Sequence, residues 1–98
     1  MTLEEATSMV QKLAKEKGGA LKSIVKFQFE DGVIVLDDSQ SPTVVTNEDK
    51  GADCTIKMKL RNFDKLINGK LNPMMAFMGG KMKIDGDMSI AMKLSSLF

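Results

Sequence analysis

Residues 72–80, NPMMAFMGG, leave room for one short helix and little else. Asn72 can cap a helix, and Pro73 suits its first position. Gly79 and Gly80 stop it. The turn between them, Met74-Met75-Ala76-Phe77-Met78, is apolar on every side. A helix without a polar face must be buried, or must border something greasy. Lys81-Met82-Lys83-Ile84-Asp85 then alternates with the period of a half-buried strand. Gly86 turns the chain, and Asp87 is placed to cap a last helix over 88–98. Six of the nine methionines fall between residues 69 and 94: Met74, Met75, Met78, Met82, Met88 and Met92. Methionine has three rotatable bonds and a polarisable sulfur, so it adapts to shape and does not fix it. A Met-lined wall suits apolar ligands of variable form. The plain alternative is a hydrophobic core that happens to use methionine.

The earlier part of the chain reads in shorter steps. Thr2 and Glu5 have capping-box spacing, and Leu3, Ala6, Met9, Val10, Leu13 and Ala14 share one helical face. Glu4 and Glu5 lie near the start and Lys12, Lys15 and Lys17 near the end, as the helix dipole favours. Gly18-Gly19 ends this helix. Its polar face mixes both charge signs, which suits a cover over a sheet better than a membrane anchor. Val25, Phe27 and Phe29 alternate with Lys26, Gln28 and Glu30, a strand with one apolar face. Asp31-Gly32 signals a hairpin. The returning strand over 33–37 has four consecutive aliphatics, implying burial on both faces or a bulge.

Residues 43–46 form a short third strand. Cys54, Ile56, Met58 and Leu60 alternate with Thr55, Lys57 and Lys59 in a fourth. Asn62 can cap a short helix with Phe63, Leu66 and Ile67 on its apolar side. The order is helix, four strands, two short helices, strand, helix. It predicts one domain over residues 1–98, with an α+β fold: a five-stranded, mixed but mostly antiparallel sheet covered on one face by helices.

Much chemistry is missing from the residue inventory. The chain has no histidine. This removes the commonest general base and metal ligand, and every Ser-His or Cys-His nucleophile. Cys54 falls on the apolar side of its strand, where a buried structural thiol is expected. Gly69-Lys70 and Gly80-Lys81 lack the rest of a phosphate loop, and Asp85-Gly86-Asp87 lacks the rest of a calcium loop. Adjacent Asp37 and Asp38 would point to opposite faces of a strand, which is wrong for a catalytic pair. The expectation is a protein without catalytic residues, metal or cofactor. Fourteen basic and thirteen acidic residues give no basic stripe for nucleic acid. One cysteine, no signal-peptide pattern, no membrane span and no S-K-L type C-terminus make the cytoplasm the expected location.

Gly69-Lys70-Leu71-Asn72-Pro73, then Ala76-Phe77, Gly80-Lys81-Met82-Lys83-Ile84, Gly86-Asp87-Met88 and Ala91-Met92-Lys93-Leu94, resemble the C-terminal signature of the sterol carrier protein 2 family. Ala52-Asp53-Cys54-Thr55-Ile56 resembles the strand that enters this region, and residues 1–47 match in layout only. The resemblance implies a five-stranded sheet roofed by helices, with an apolar tunnel between. It also implies a non-enzymatic intracellular carrier of fatty acids, fatty acyl-CoA, sterols or similar lipids.

On that reading the tunnel wall comprises Met75, Phe77, Met78, Met82, Ile84, Met88 and Met92, with Phe27, Phe29 and Val35 from the sheet. Spacing alone leaves Met78 and Met82 open to a core-side placement. The last helix is apolar at Met88, Ile90, Ala91, Met92, Leu94, Leu97 and Phe98, too broad for one contact face; it reads as a lid touching both tunnel and core. Lys70, Lys81 and Lys83 offer transient attraction to an anionic membrane surface. A monomer is expected. The competing reading is a protein-interaction or dimerisation module of the same fold, accessory to lipid or quinone metabolism.

Overall fold

The computed structural model describes residues 1–95. Helix α1, Leu3–Lys17, starts with both halves of the capping box: Glu5 N donates to Thr2 Oγ1 at 3.1 Å, and Thr2 N donates to Glu5 Oε1 at 2.9 Å. Strands β1 (Ile24–Phe29) and β2 (Gly32–Asp37) form an antiparallel hairpin that turns at Glu30 and Asp31. Strand β3 (Val44–Thr46) adds to β2. Strand β4 (Cys54–Met58) pairs parallel with β1, and β5 (Met82–Gly86) adds antiparallel to β4. The sheet order is β3-β2-β1-β4-β5. Between β4 and β5 lie α2 (Leu60–Ile67) and α3 (Pro73–Met78); α4 (Met88–Ser95) follows β5. The element order and the mixed five-stranded sheet are those expected from the sequence.

Side-chain alternation assigns the two faces of the sheet. Val25, Phe27, Phe29, Ile34, Leu36, Cys54, Ile56 and Met58 face the helices and share one buried core with Ala6, Val10, Phe63 and Leu94. Phe27, Phe29 and Phe63 make its aromatic centre, with the ring centroid of Phe63 5.4 Å from that of Phe27 and 5.0 Å from that of Phe29.

Among the described residues the other sheet face carries no helix, yet Val35 on it is buried. The reason is topological. The chain leaves β3 at one edge and must reach β4 beyond β1, so residues 47–53 cross β2 and β1. Lys26 Nζ meets Asp49 Oδ1 at 2.6 Å, and Lys26 is the register partner of Val35, so the crossing runs over this face. Asn47 Nδ2 donates to Val33 O at 3.0 Å, and Ile24 N to Asp53 Oδ2 at 2.9 Å, tying down both ends. This explains the four consecutive aliphatics of β2: both faces are covered, with no bulge in the register.

Two polar devices set loop geometry. Asp38 is buried, and its carboxylate accepts from Gly19 N (2.6 Å), Leu21 N (2.7 Å), Lys22 N (3.0 Å) and Thr43 Oγ1 (2.6 Å). Burial pushes its pKa up, but the bonds from Thr43 and the three backbone groups outweigh this and leave it below the ordinary value. Lys22 is held at a φ of 51° in this cradle. Asp38 is thus a structural acceptor, whereas Asp37 bonds locally to Ser39 and Gln40.

Helix α2 departs from the sequence expectation. It begins at Leu60, so Leu60 ends no strand and Asn62 lies buried inside the helix instead of capping it. Lys59 at the cap offers no side-chain bond, and Leu60 N donates instead to Glu30 Oε1 at 2.8 Å, a cap supplied from the β1–β2 hairpin.

Candidate functional site

Helix α3 starts as its sequence requires. Asn72 Oδ1 accepts from Met74 N at 2.9 Å and Met75 N at 3.3 Å, and Pro73 takes the first position. Only Ala76 of the apolar turn is buried, at 1% exposure. Helix α4 is capped by Asp87, whose Oδ1 accepts from Ser89 N at 2.9 Å and Ser89 Oγ at 2.6 Å. It buries Ile90, Ala91 and Leu94. The link between β5 and α4 is tight at Gly86, where φ is 106° and a Cβ would meet Asp53 O at 2.5 Å. Only glycine fits that approach and that φ.

Between α3, α4 and the helix-covered end of the sheet lies a cleft of about 260 Å³. It is open along one side and is not an enclosed tunnel. Phe27, Ile56 and Ile84 form its floor, with Leu66 and Met82 beside them. Met74 and Phe77 supply the α3 wall, and Met88, Ala91, Met92 and Leu94 the α4 wall. Among the described residues the polar lining groups are Asn72 and Ser95, and no charged side chain borders the space. Asn72 Oδ1 is occupied by the cap, and Ser95 Oγ donates to Met92 O at 2.7 Å. Pockets for small apolar ligands have this character, with few polar groups in a greasy wall and volumes of roughly 300–1,000 Å³, so this one is small and open. A hollow of about 550 Å³ between the end of α1 and residues 40–45 is lined by Gln11, Lys15, Glu16 and Gln40 among others, and is a polar surface depression.

Six of the ten side chains expected from the sequence border the cleft: Phe27, Phe77, Met82, Ile84, Met88 and Met92. Four do not. Phe29 shares the Phe27 face but stacks into the aromatic core two residues further along β1. Val35 lies on the opposite sheet face, beneath the crossing segment, because its alternation is out of phase with Phe27. Met75 and Met78 point away from the cleft, at 70% and 78% exposure, because the α3 face turned to it is that of Met74 and Phe77. Helical spacing of three joins Met74 to Phe77 and Met75 to Met78, so it separates the two pairs without saying which one faces inward. Met74, Ile56, Leu66, Ala91 and Leu94 were not expected at the wall. Ile56 enters through its register with Phe27 and Ile84, which no local pattern contains. Leu97 and Phe98 of the expected lid lie outside the described residues.

Cys54 is fully buried under α4. Burial first, then the carboxylates of Asp87 and Asp85, hold its thiol above the ordinary value, so it is a poor nucleophile. Among the described residues no group of three or more acidic or cysteine side chains could hold a metal.

The sequence profile of the SCP-2 sterol transfer family matches residues 3–98. This chain belongs to that family. Membership assigns it, at that broad level, to lipid binding and transfer. It is similar to sterol carrier protein 2 of Homo sapiens, with 53% identity over 55 residues, covering 56% of this chain and 10% of the human protein. The chain therefore matches about a tenth of the length of that curated relative. The solution structure of the sterol carrier protein domain 2 of Helicoverpa armigera matches with a TM-score of 0.70 at 31% identity, covering 89% of this chain and 71% of that one. The solution structure of palmitated SCP2L2 from Aedes aegypti matches with a TM-score of 0.76 at 17% identity, covering 99% and 94% of the two chains, and shows the shared fold.

Proposed function

We propose that residues 1–98 act as one non-enzymatic carrier domain in the cytoplasm, a monomer that takes an apolar lipid into the cleft between α3, α4 and the sheet. The ligand class is fatty acid, fatty acyl-CoA, sterol or a similar lipid. The observation that carries this reading is the cleft itself: a methionine- and phenylalanine-lined space that no charged side chain borders among the described residues, in a member of a lipid-transfer family. The proposed wall is Phe27, Phe77, Met82, Ile84, Met88 and Met92, joined by Met74, Ile56 and Ala91. Burying a sixteen-carbon chain fully would contribute about 12 kcal/mol gross, at roughly 0.8 kcal/mol per methylene. Association and ordering costs remove much of it, leaving binding in the micromolar to nanomolar range. Wall methionines can follow ligands of different outline without a fixed pocket shape. The single buried thiol suits a reducing compartment.

Two alanines test the assignment. Both are buried, but Ala91 also borders the cleft whereas Ala76 packs only into the core. Ala91→Phe should fill the cleft, weaken binding of a fluorescent fatty acid or its displacement by palmitate, and change stability by less than about 1 kcal/mol. Ala76→Phe should overpack the core and cost at least about 1–3 kcal/mol in urea unfolding. A folded Ala91→Phe protein that binds as tightly as the parent moves the site off this cleft.

The interaction-module reading is favoured by one observation, the exposure of Met74, Met75, Met78 and Met92. Native mass spectrometry separates the two: a monomer carrying lipid supports the carrier, and a ligand-free dimer supports the module.

A further inference from the structure

We propose that two copies of this protein pair edge to edge through β5 around one long lipid, joining their clefts into a single groove. This rests on the carrier reading above: the free protein is the monomer, and a lipid longer than one cleft brings a second copy to it. The cleft runs across the strands. Helix α3 leads into β5 and stands at its Met82 end, and α4 leaves from the Gly86 end. Between them the floor follows one register row, from Phe27 to Ile56 to Ile84. Because β5 is the last strand, the row stops at Ile84, which is half-buried. The cleft volume of about 260 Å³ lies under the roughly 300–1,000 Å³ usual for ligand pockets. Two such clefts joined end to end lie within that range.

The outer edge of β5 is open. Bonded and non-bonded pairs alternate along an antiparallel ladder. Asp87 N donates to Asp53 O at 3.0 Å, which makes Cys54 and Gly86 a non-bonded pair. Thr55 with Asp85 and Lys57 with Lys83 are then the bonded ones. The N–H and C=O groups of Met82, Ile84 and Gly86 therefore point away from β4, and among the described residues no strand meets them.

Charge selects a second copy as the occupant and fixes its register. An antiparallel β5 centred on Ile84 brings Ile84 N–H to Ile84 C=O of the second copy. It also sets Lys83 opposite Asp85 and Lys81 opposite Asp87, each pair occurring twice by two-fold symmetry. The neighbouring registers that keep the bonding phase set Lys83 against Lys83 or Asp85 against Asp85. Edge strands are commonly guarded by lysines. Here two lysines and two aspartates stand in an order that complements itself. All four are exposed, and among the described residues none is in an ion pair. Within one chain Lys83 lies opposite Lys57, a like-charge pair that weakens a sheet, and Asp85 of the second copy relieves it. The same two-fold axis puts α3 of one copy beside α4 of the other. The floor then continues from Ile84 into its own image, spanning about 24 Å at ~4.8 Å per strand.

Light scattering should give a monomer for the lipid-free protein and a dimer once palmitate is added. Native mass spectrometry should find one palmitate per two chains. Lys83→Asp should weaken this dimer by more than about tenfold, and so should Asp85→Lys, because each turns two attractive pairs into repulsive ones. The two single variants mixed together should pair with each other, and Lys83→Asp/Asp85→Lys should pair with itself. Rescue by mixing separates lost pairing from a damaged fold. Decanoate, a shorter chain that one cleft covers, should displace a fluorescent fatty acid from every variant as from the parent, since neither side chain borders the cleft. Palmitate held one to one by a monomer overturns the pairing and leaves the carrier reading standing. A dimer with two palmitates, or one that the single variants form as tightly as the parent, overturns it in the same way, as does a mixture that stays monomeric. A parent that takes up neither acid overturns the carrier reading, and the pairing with it.

Discussion

The two ends of the sheet treat their apolar residues in opposite ways. At the β2–β3 end, under α1, branched and fixed-shape side chains turn inward: Val10, Val25, Ile34 and Leu36 are buried. The exposed surface there carries both charge signs, and the carboxylate of Asp38 is saturated with four donors. At the β4–β5 end, Met58 and Met82 are buried in the sheet, but the methionines of α3 and α4 (Met74, Met75, Met78, Met88 and Met92) are exposed around an open cleft. Carboxylates are absent from residues 65–84. Fixed rotamers and satisfied polar groups suit a part that must keep one shape. Soft side chains around an unfilled space suit a boundary that must admit something else. Both ends rest on one shared aromatic centre.

That shared centre gives the largest expected effect. Phe63→Ala removes a fully buried ring that touches both Phe27 and Phe29. It should cost about 3–5 kcal/mol in urea unfolding, through lost burial and a residual cavity. It should also loosen the cleft floor at Phe27 and weaken lipid binding. Two separate unfolding transitions in the parent, by fluorescence-labelled ends or hydrogen exchange, would break the picture of a common foundation.

A smaller effect is confined to the α1 end. Asp38→Asn removes the charged acceptor and should cost about 2–3 kcal/mol at neutral pH. The native carboxyl has a lowered pKa, so its contribution is complete above the unfolded value of about 3.9 and is lost as pH falls through the lowered native value. The gap between parent and variant should therefore close in acid. Urea midpoints measured from neutral to acid pH check this, and a gap that stayed constant into acid would mean that ionisation is not what stabilises the loop. Lipid binding at neutral pH should hold in the folded variant, since Asp38 does not border the cleft.

The smallest effect sharpens the other side. Met78→Ser should move stability by less than about 0.5 kcal/mol, because the side chain has little packing to lose. A loss of several times that would show that Met78 is packed in solution and that the α3 face is less open than it stands here.

Legibility followed the range of the interaction. The helix α1, the hairpin and α3 were readable because their signals are local: a capping box at Thr2 and Glu5, alternation from Val25, and Asn72-Pro73 before Gly79-Gly80. The start of α2 was misread because its cap comes from Glu30, thirty residues earlier. Val35 was misplaced because burial on the helix-free face depends on a crossing segment that only the strand order reveals. The methionine-rich stretch pointed to the right neighbourhood, but which α3 pair faces the sheet depends on how α3 docks on β5. The structural role of Asp38 has no local signature beside Asp37, since three of its four donors lie in the turn after α1.

The parallel pairing of β1 with β4 has a consequence for how this domain can be cut. Phe27, on the cleft floor, belongs to β1, while the rest of the bordering residues come from β4 onward. A fragment starting at Cys54 would keep nearly every wall residue. It would also expose the whole unpaired edge of β4, a template for association with other chains. The cleft is therefore not excisable as a minimal peptide. Grafting it onto another protein means moving the first strand with it, and any split into two pieces has to leave β1 free to slot between β2 and β4 when the halves meet.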